Sequence, residues 1–247
     1  MIRGRAAGIA LCVLAGGALG RSAAADDMLT LYFHERAPYS ARDADGKVHG
    51  ITADIATAAM AKAGIPYHWE ELPSARQIEV IRRNERPACG LGWFKRPERE
   101  FFAKFSAPIY RDLPTIVVAR ADDTRFTGKP TIDALFADKS LTLLTKTGYS
   151  YGAVIDAKII AEGPNARADS SDNQIMLGMV SKARVDYMMM AEEEARDLLS
   201  HPDFSQAGLT IYHLANPPPG EYRYLLCSKS VSDGLLARIN RAITPPE

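Results

Sequence analysis

The segment Gly148-Tyr-Ser-Tyr-Gly152 is the sharpest chemical signal in this 247-residue sequence. It fits the Gly-x-Ser-x-Gly nucleophile elbow, in which a tight strand-to-helix turn presents a serine hydroxyl to a base. The flanking residues read as strand, turn and helix, the setting that motif needs. A serine esterase built on Ser150 would require an acid and then a histidine downstream. Asp186 or Asp197 with His201 or His213 can be nominated, but only by free choice, and no glycine-rich oxyanion segment follows the early strands. The same turn has a second reading: backbone N–H groups of Gly148, Tyr149 and Ser150, with the Ser150 hydroxyl, could meet an anion at a helix N-terminus. The five histidines show no zinc-ligand spacing.

The elements that must position these residues alternate. Leu29-Thr-Leu-Tyr-Phe33 reads as a strand and Asp43-Ala-Asp-Gly46 as a turn. Apolar residues at helical spacing mark a helix over Ile51–Ala63, stopped by Gly64. A strand over 67–70, a helix over 75–83 capped by Ser74, and an extended run over 88–94 follow. Strand, helix, strand, helix, strand argues an α/β lobe with a mainly parallel sheet. A second alternation begins with a strand over 113–119. It continues with a helix over Ile132–Ala137, a strand over 141–144, a helix over 153–161 and one over 173–182 with a Ser171/Gln174 capping box. A strand over 185–190 and a helix over 192–199 complete it. Asn216-Pro-Pro-Pro-Gly220 breaks all periodicity, and one strand (222–227) and one helix (232–243) remain. A lone strand and helix cannot bury themselves, so the tail is expected to complete the first lobe.

The N-terminus carries Arg3 and Arg5, an apolar stretch to about Gly20, then small residues before Asp26-Asp27. That is the order of a secretory signal peptide, with cleavage expected near Ala25 and a periplasmic product. Cys12 follows Leu11 inside the apolar stretch, which argues against lipid anchoring. No later segment approaches the length of a transmembrane helix. Removing residues 1–25 leaves 27 basic against 30 acidic residues, a net charge of about −3. This gives no electrostatic case for nucleic acid or an anionic membrane. Cys89 and Cys227 remain, in a compartment that permits a disulfide. Two buried free thiols are the other reading.

Gly92-Trp-Phe-Lys-Arg-Pro-Glu-Arg-Glu100, followed by Phe105-Ser-Ala-Pro-Ile-Tyr110, resembles the motif of extracytoplasmic solute-binding proteins of the polar amino acid type, family 3. Pro38-Tyr39, the run Asp45-Gly46…Gly50…Asp54, Gly148-Tyr-Ser, Arg184-Val-Asp186 and the closing helix with Asn240 match in order over the mature chain. The resemblance implies a two-lobed α/β fold of the type II periplasmic-binding-protein class, each lobe a mainly parallel sheet with flanking helices, joined by a two-stranded hinge. The corresponding division is a signal peptide at 1–25, lobe one at 26–109 and 219–247, and an inserted lobe two at 110–218. It implies a monomer without cofactor or metal that binds a small polar, carboxylate-bearing solute and delivers it to the membrane permease of an ABC transporter.

The resemblance also places site residues. Arg99 stands where an arginine clamps the ligand carboxylate, for which a planar guanidinium suits by making two parallel charged hydrogen bonds. Arg96 stands where the family usually has threonine and is open between a second cation and a solvated side chain. Tyr39, Trp93 and Phe94 fall at strand ends facing the cleft, where they would sandwich a ligand or else pack in the core. Arg76 resembles an arginine of a divergent branch and either faces the cleft or pairs with a helix carboxylate. The returning strand would run antiparallel beside the strand carrying Cys89, which brings a Cys89–Cys227 disulfide within reach. Two positions depart from binders of α-amino acids: Ala191 stands where an aspartate pairs with the ligand ammonium, and Phe33 where an acid is common. Glu192 is a ligand candidate by a one-residue shift, or one of three solvated glutamates at a helix start, where the helix dipole favours them. Cyclohexadienyl dehydratases share the fold, and that enzymatic alternative would need Glu192 or Glu35 as a general acid in the cleft.

Overall fold

The computed structural model describes Met1, residues 28–244 and Pro246. The expected signal peptide, Cys12 and the cleavage position near Ala25 lie outside the described residues.

Strand β1 (Leu29–Phe33) is buried along its whole length, as expected of a central strand covered on both faces. A short hairpin, β2 (Ala41–Arg42) and β3 (Val48–His49), leads into α1 (Ile51–Ala63). Then come β4 (Tyr67–Glu71), α2 (Ser74–Arg83), β5 (Ala88–Phe94), the single turn α3 (Pro97–Glu100), β6 (Ala103–Phe105) and β7 (Tyr110–Arg111). Strands β4, β1 and β5 are parallel neighbours.

The chain then builds a second sheet from β8 (Thr115–Arg120), β9 (Leu143–Lys146), β10 (Ala166–Asp169), β11 (Tyr187–Ala191) and β12 (Leu209–Tyr212), in the order β10-β9-β11-β8-β12. Its helices are α4 (Ile132–Ala137), α5 (Ala153–Glu162), α6 (Asn173–Ser181) and α7 (Glu192–Ser200). The period of two along a strand decides what each face packs against. Ile116 and Val118 of β8 join Met188 and Met190 under α6 and α7. Val117 and Ala119 join Tyr187 and Met189 on the opposite face, with Phe136 of α4 and Ile155 of α5.

The last strand, β13 (Tyr222–Ser228), returns to the first sheet and runs antiparallel to β5, β6 and β7. The last helix, α8 (Asp233–Ala242), packs Ile239 and Ala242 into the core shared with α1. The first sheet thus draws strands from both ends of the described chain, and the second from its middle. The two crossings meet at β7 and the start of β13. There the backbone approach is so close that a Cβ on Gly220 would lie 1.6 Å from the Asp112 carbonyl oxygen.

Cys89 and Cys227 are cross-strand partners in β5 and β13 and are disulfide-bonded, both fully buried. The bond closes a 138-residue separation and ties the tail to the first lobe. Labelling the unfolded, unreduced protein with a thiol reagent is expected to find no free thiol at either position.

Local expectations differ from the structure where side-chain capping was inferred. Ser74 is the first residue of α2 rather than its cap, and Pro73 precedes it without a side-chain bond. Asp172, not Ser171, precedes α6, again without a side-chain cap. Strands β10 and β12 are edge strands of the second sheet; β10 is exposed along most of its length and β12 half-buried.

Candidate functional site

The cleft lies between the lobes, lined from the first by the ends of β1 and β5 and from the second by the β9–α5 turn, β11 and the start of α7. Ligand sites in open α/β sheets form beyond the carboxyl ends of strands, and the chain follows that rule. His34 and Arg36 follow β1, Trp93 and Phe94 end β5, Lys146 ends β9, and Ala191 ends β11.

Arg99 lines the cleft from α3. Its guanidinium lies 4.9 Å from the centre of the Trp93 ring, and Nη1 donates to the Phe94 carbonyl at 2.8 Å. Burial, with Arg96 nearby, holds its pKa below the ordinary arginine range despite Glu98 and Asp156. Trp93 is fixed from behind by its indole N–H donating to Gln77 Oε1 at 3.1 Å. Phe94 is half-buried beside Arg96 and Arg223. The structure therefore brings Arg99, Trp93 and Phe94 together on the first-lobe wall.

Tyr149 and Ser150 line the opposite wall with Gly148; the Tyr149 N–H donates to the Lys146 carbonyl at 3.1 Å, and the donors next to the start of α5 are taken. Tyr151 N–H donates to Asp156 at 2.7 Å, Gly152 N–H to Ser150 Oγ at 3.3 Å, and Ala153 N–H to Glu221 at 2.7 Å. Gly152, at φ 100°, is where a Cβ would meet the Glu221 carboxylate at 2.8 Å. The expected anion site at the start of α5 is thus filled by carboxylates of the chain itself. Ser150 Oγ bonds Asp156 and receives Arg96 Nε at 2.8 Å and Nη2 at 2.5 Å. Arg96 is neither solvated nor free; it straps the first lobe to the second. No histidine contacts Ser150 among the described residues, so the esterase arrangement is missing its base.

Four candidates fall outside the cleft. Arg76 is exposed and pairs with Glu79 at 2.8 Å. Glu192 pairs with Arg196 one helical turn on, at 2.5 Å, and with His213 at 3.2 Å. Tyr39 is buried behind the wall, its ring 3.9 Å from the Arg223 guanidinium and its hydroxyl donating to Glu193 at 3.0 Å. Glu35 is exposed and accepts the Arg42 backbone N–H. Among the described residues no cluster of three or more His, Cys, Asp or Glu is placed to hold a metal ion.

The inward glutamate is Glu194, expected from its place at a helix start to be solvated with Glu192 and Glu193 but in fact buried. Arg36 donates to it twice, Nε to Oε1 at 2.9 Å and Nη2 to Oε2 at 2.7 Å, and Asn173 Nδ2 adds a third bond at 2.6 Å. Burial would raise this carboxyl, but the Arg36 charge prevails and holds it below the usual range. Its signal is helical spacing: Glu194 lies one turn after Ala191, which also lines the cleft. His34 joins it, its Nε2 3.0 Å from the Tyr149 hydroxyl across the cleft.

The family model for bacterial extracellular solute-binding proteins, family 3, matches residues 29–245. The chain belongs to that family. No curated protein sequence matches it. Solved structures share its two-lobed fold. An ancestral arginine-binding protein bound to arginine superposes with a TM-score of 0.69 at 16% identity, covering 87% of this chain and 90% of the other. Holo ArgBP from T. maritima gives 0.66 at 18%, covering 87% and 88%. A periplasmic His/Glu/Gln/Arg/opine family-binding protein from Silicibacter pomeroyi, in complex with lysine, gives 0.67 at 15%, again covering 87% and 88%. As a family 3 solute-binding protein the chain has a solute-binding role, and the cleft between its lobes is the candidate place for it.

Proposed function

We propose that this protein is the periplasmic substrate-binding component of an ABC-type importer and that it holds a small carboxylate-bearing solute between its lobes. The observation that carries this reading is Arg99. It is a partly buried guanidinium on an aromatic wall, with no carboxylate partner among the described residues and with N–H groups left over after its bond to Phe94. A desolvated cation so placed gains strongly from an anionic oxygen acceptor. A ligand touching both lobes favours their closed arrangement, because only that arrangement offers both sets of contacts. Delivery to a permease and a monomeric state belong to the same proposal.

The cleft also favours binding over dehydration. Glu194 is its best-placed acid, yet Arg36 keeps it ionised, so it has no proton to donate at neutral pH.

A thermal-shift screen of amino acids, opines, organic acids and polyamines tests the proposal. A carboxylate is expected to raise the melting temperature, Arg99→Ala to abolish that rise, and Glu192→Gln to leave it in place. A rise that persists in Arg99→Ala would overturn the assignment.

A further inference from the structure

The carboxylates that line the cleft are already matched by the chain's own cations and N–H groups. Glu194 carries the bidentate Arg36 pair and the Asn173 amide. Asp112 receives Arg223 Nε at 2.6 Å and Nη2 at 2.7 Å. Glu221 accepts the Ala153 N–H and lies 3.6 Å from Arg96. The cations are not matched to the same extent. Arg99 on the first lobe and Lys146 on the second line the cleft without an ion-pair partner among the described residues. Lys146 Nζ is 3.5 Å from Asn173 Oδ1 and 4.7 Å from the centre of the Tyr149 ring, contacts that leave its charge uncompensated.

An α-amino acid would bring one carboxylate and one ammonium into this space. Its carboxylate would find Arg99 or Lys146. Its ammonium would find every lining carboxylate engaged, with Arg36, Arg99, Lys146 and Arg223 around it, and an unpaired buried charge is strongly disfavoured. At Ala191, the cleft end of β11, there is no carboxylate to receive it. Arg36 instead delivers a guanidinium of the protein to the nearest acid on that face, Glu194.

We propose that the cleft selects a small dicarboxylic acid without an ammonium group, its two carboxylates meeting Arg99 from one lobe and Lys146 from the other, with Arg36 occupying the acid an ammonium would use. This rests on the carboxylate-binding reading above and narrows it. Trp93, Phe94 and Met188 to Met190 supply apolar walls for a short carbon skeleton. A dianion cancels both free charges and draws the lobes together, whereas a zwitterion cancels neither of them net.

Isothermal titration of the purified protein with matched pairs tests this: succinate against aspartate, glutarate against glutamate, and propionate and butyrate as monoacids. Each diacid is expected to bind at least about tenfold more tightly than its amino partner. Lys146→Met should remove the advantage of diacid over monoacid. Arg36→Met frees Glu194 and should shift the preference within each pair toward the amino acid; circular dichroism checks that this variant is folded, and the wild-type ranking stands as a test without it. Amino acids binding as tightly as their partners, or more so, overturn the dicarboxylate inference and leave the carboxylate site intact. Binding of no acid in either series overturns the carboxylate site and this inference with it.

Discussion

Replacing Asp112 with alanine is expected to lower the unfolding free energy by about 3–5 kcal/mol, because it leaves the Arg223 guanidinium buried without its counter-charge. Both side chains are nearly inaccessible, at 3% and 4% exposure, so water cannot stand in for the lost partner. Burial pushes the Asp112 carboxyl up, while the Arg223 charge and its two hydrogen bonds pull it back. The pair also sits where the two crossings touch: Asp112 N–H donates to the Glu221 carbonyl at 3.0 Å, and Arg223 donates to the Gly92 carbonyl at 3.0 Å. The variant therefore loosens the hinge as well as the core. Urea unfolding of wild type and variant measures the loss directly. The comparison is Arg76→Ala: its pair with Glu79 is more than half exposed on both sides and is worth at most about 1 kcal/mol. A similar cost for the two substitutions would show that the Asp112–Arg223 pair does not hold the hinge.

The legible parts of this protein are those whose physics is local. Strands β1, β5, β8 and β11 announce themselves through apolar content because helices cover both their faces, and α1 through its spacing and the Gly64 stop. Strand β10, Ala166-Arg-Ala-Asp169, is exposed along most of its length and carries no such mark; only its parallel register with β9 makes it a strand. The site divides in the same way. Arg99, Trp93 and Phe94 follow one another along β5 and α3, and one local motif places them together. The pairs Arg36–Glu194 and Asp112–Arg223 join residues separated by 158 and 111 positions, and a sequence contains no distance between such residues. Glu192 was the natural choice by counting along the chain, but a helix presents its faces every three to four residues. One turn beyond Ala191 is Glu194, while Glu192 turns toward Arg196 and His213.

Acid is expected to weaken closure of the lobes through His34. The histidine follows β1 in the first lobe and meets the Tyr149 hydroxyl of the second at 3.0 Å. Burial, then the charges of Arg36 and Lys146, lower its pKa from the ordinary 6.5 to about 3. Lys146 and Tyr149 belong to the second lobe, so opening removes one lowering charge and the hydroxyl contact and is expected to raise the imidazole from about 3 toward its ordinary value. The sign follows from linkage. Above about pH 6.5 the histidine is neutral in both arrangements and costs nothing. Below it the open form binds a proton that the closed form refuses, so closure weakens as pH falls, through the window from about 6.5 down to about 3. The limit is a tenfold loss in the closing equilibrium per pH unit, about 1.4 kcal/mol, and roughly thirtyfold by pH 5. Glu194 adds to this loss only below its ordinary 4.5, where the open form takes up a proton while Arg36 keeps the closed form ionised. Glu193 acts the other way: burial raises its carboxyl, so protonating it favours the closed form, and a variant at His34 is needed to separate the two. Small-angle X-ray scattering from pH 7.5 to 5 is expected to show the radius of gyration of the wild type rising on acidification, and that of His34→Gln failing to rise, flat or falling slightly as Glu193 takes up a proton. Equal expansion of both proteins would assign the pH response to another group.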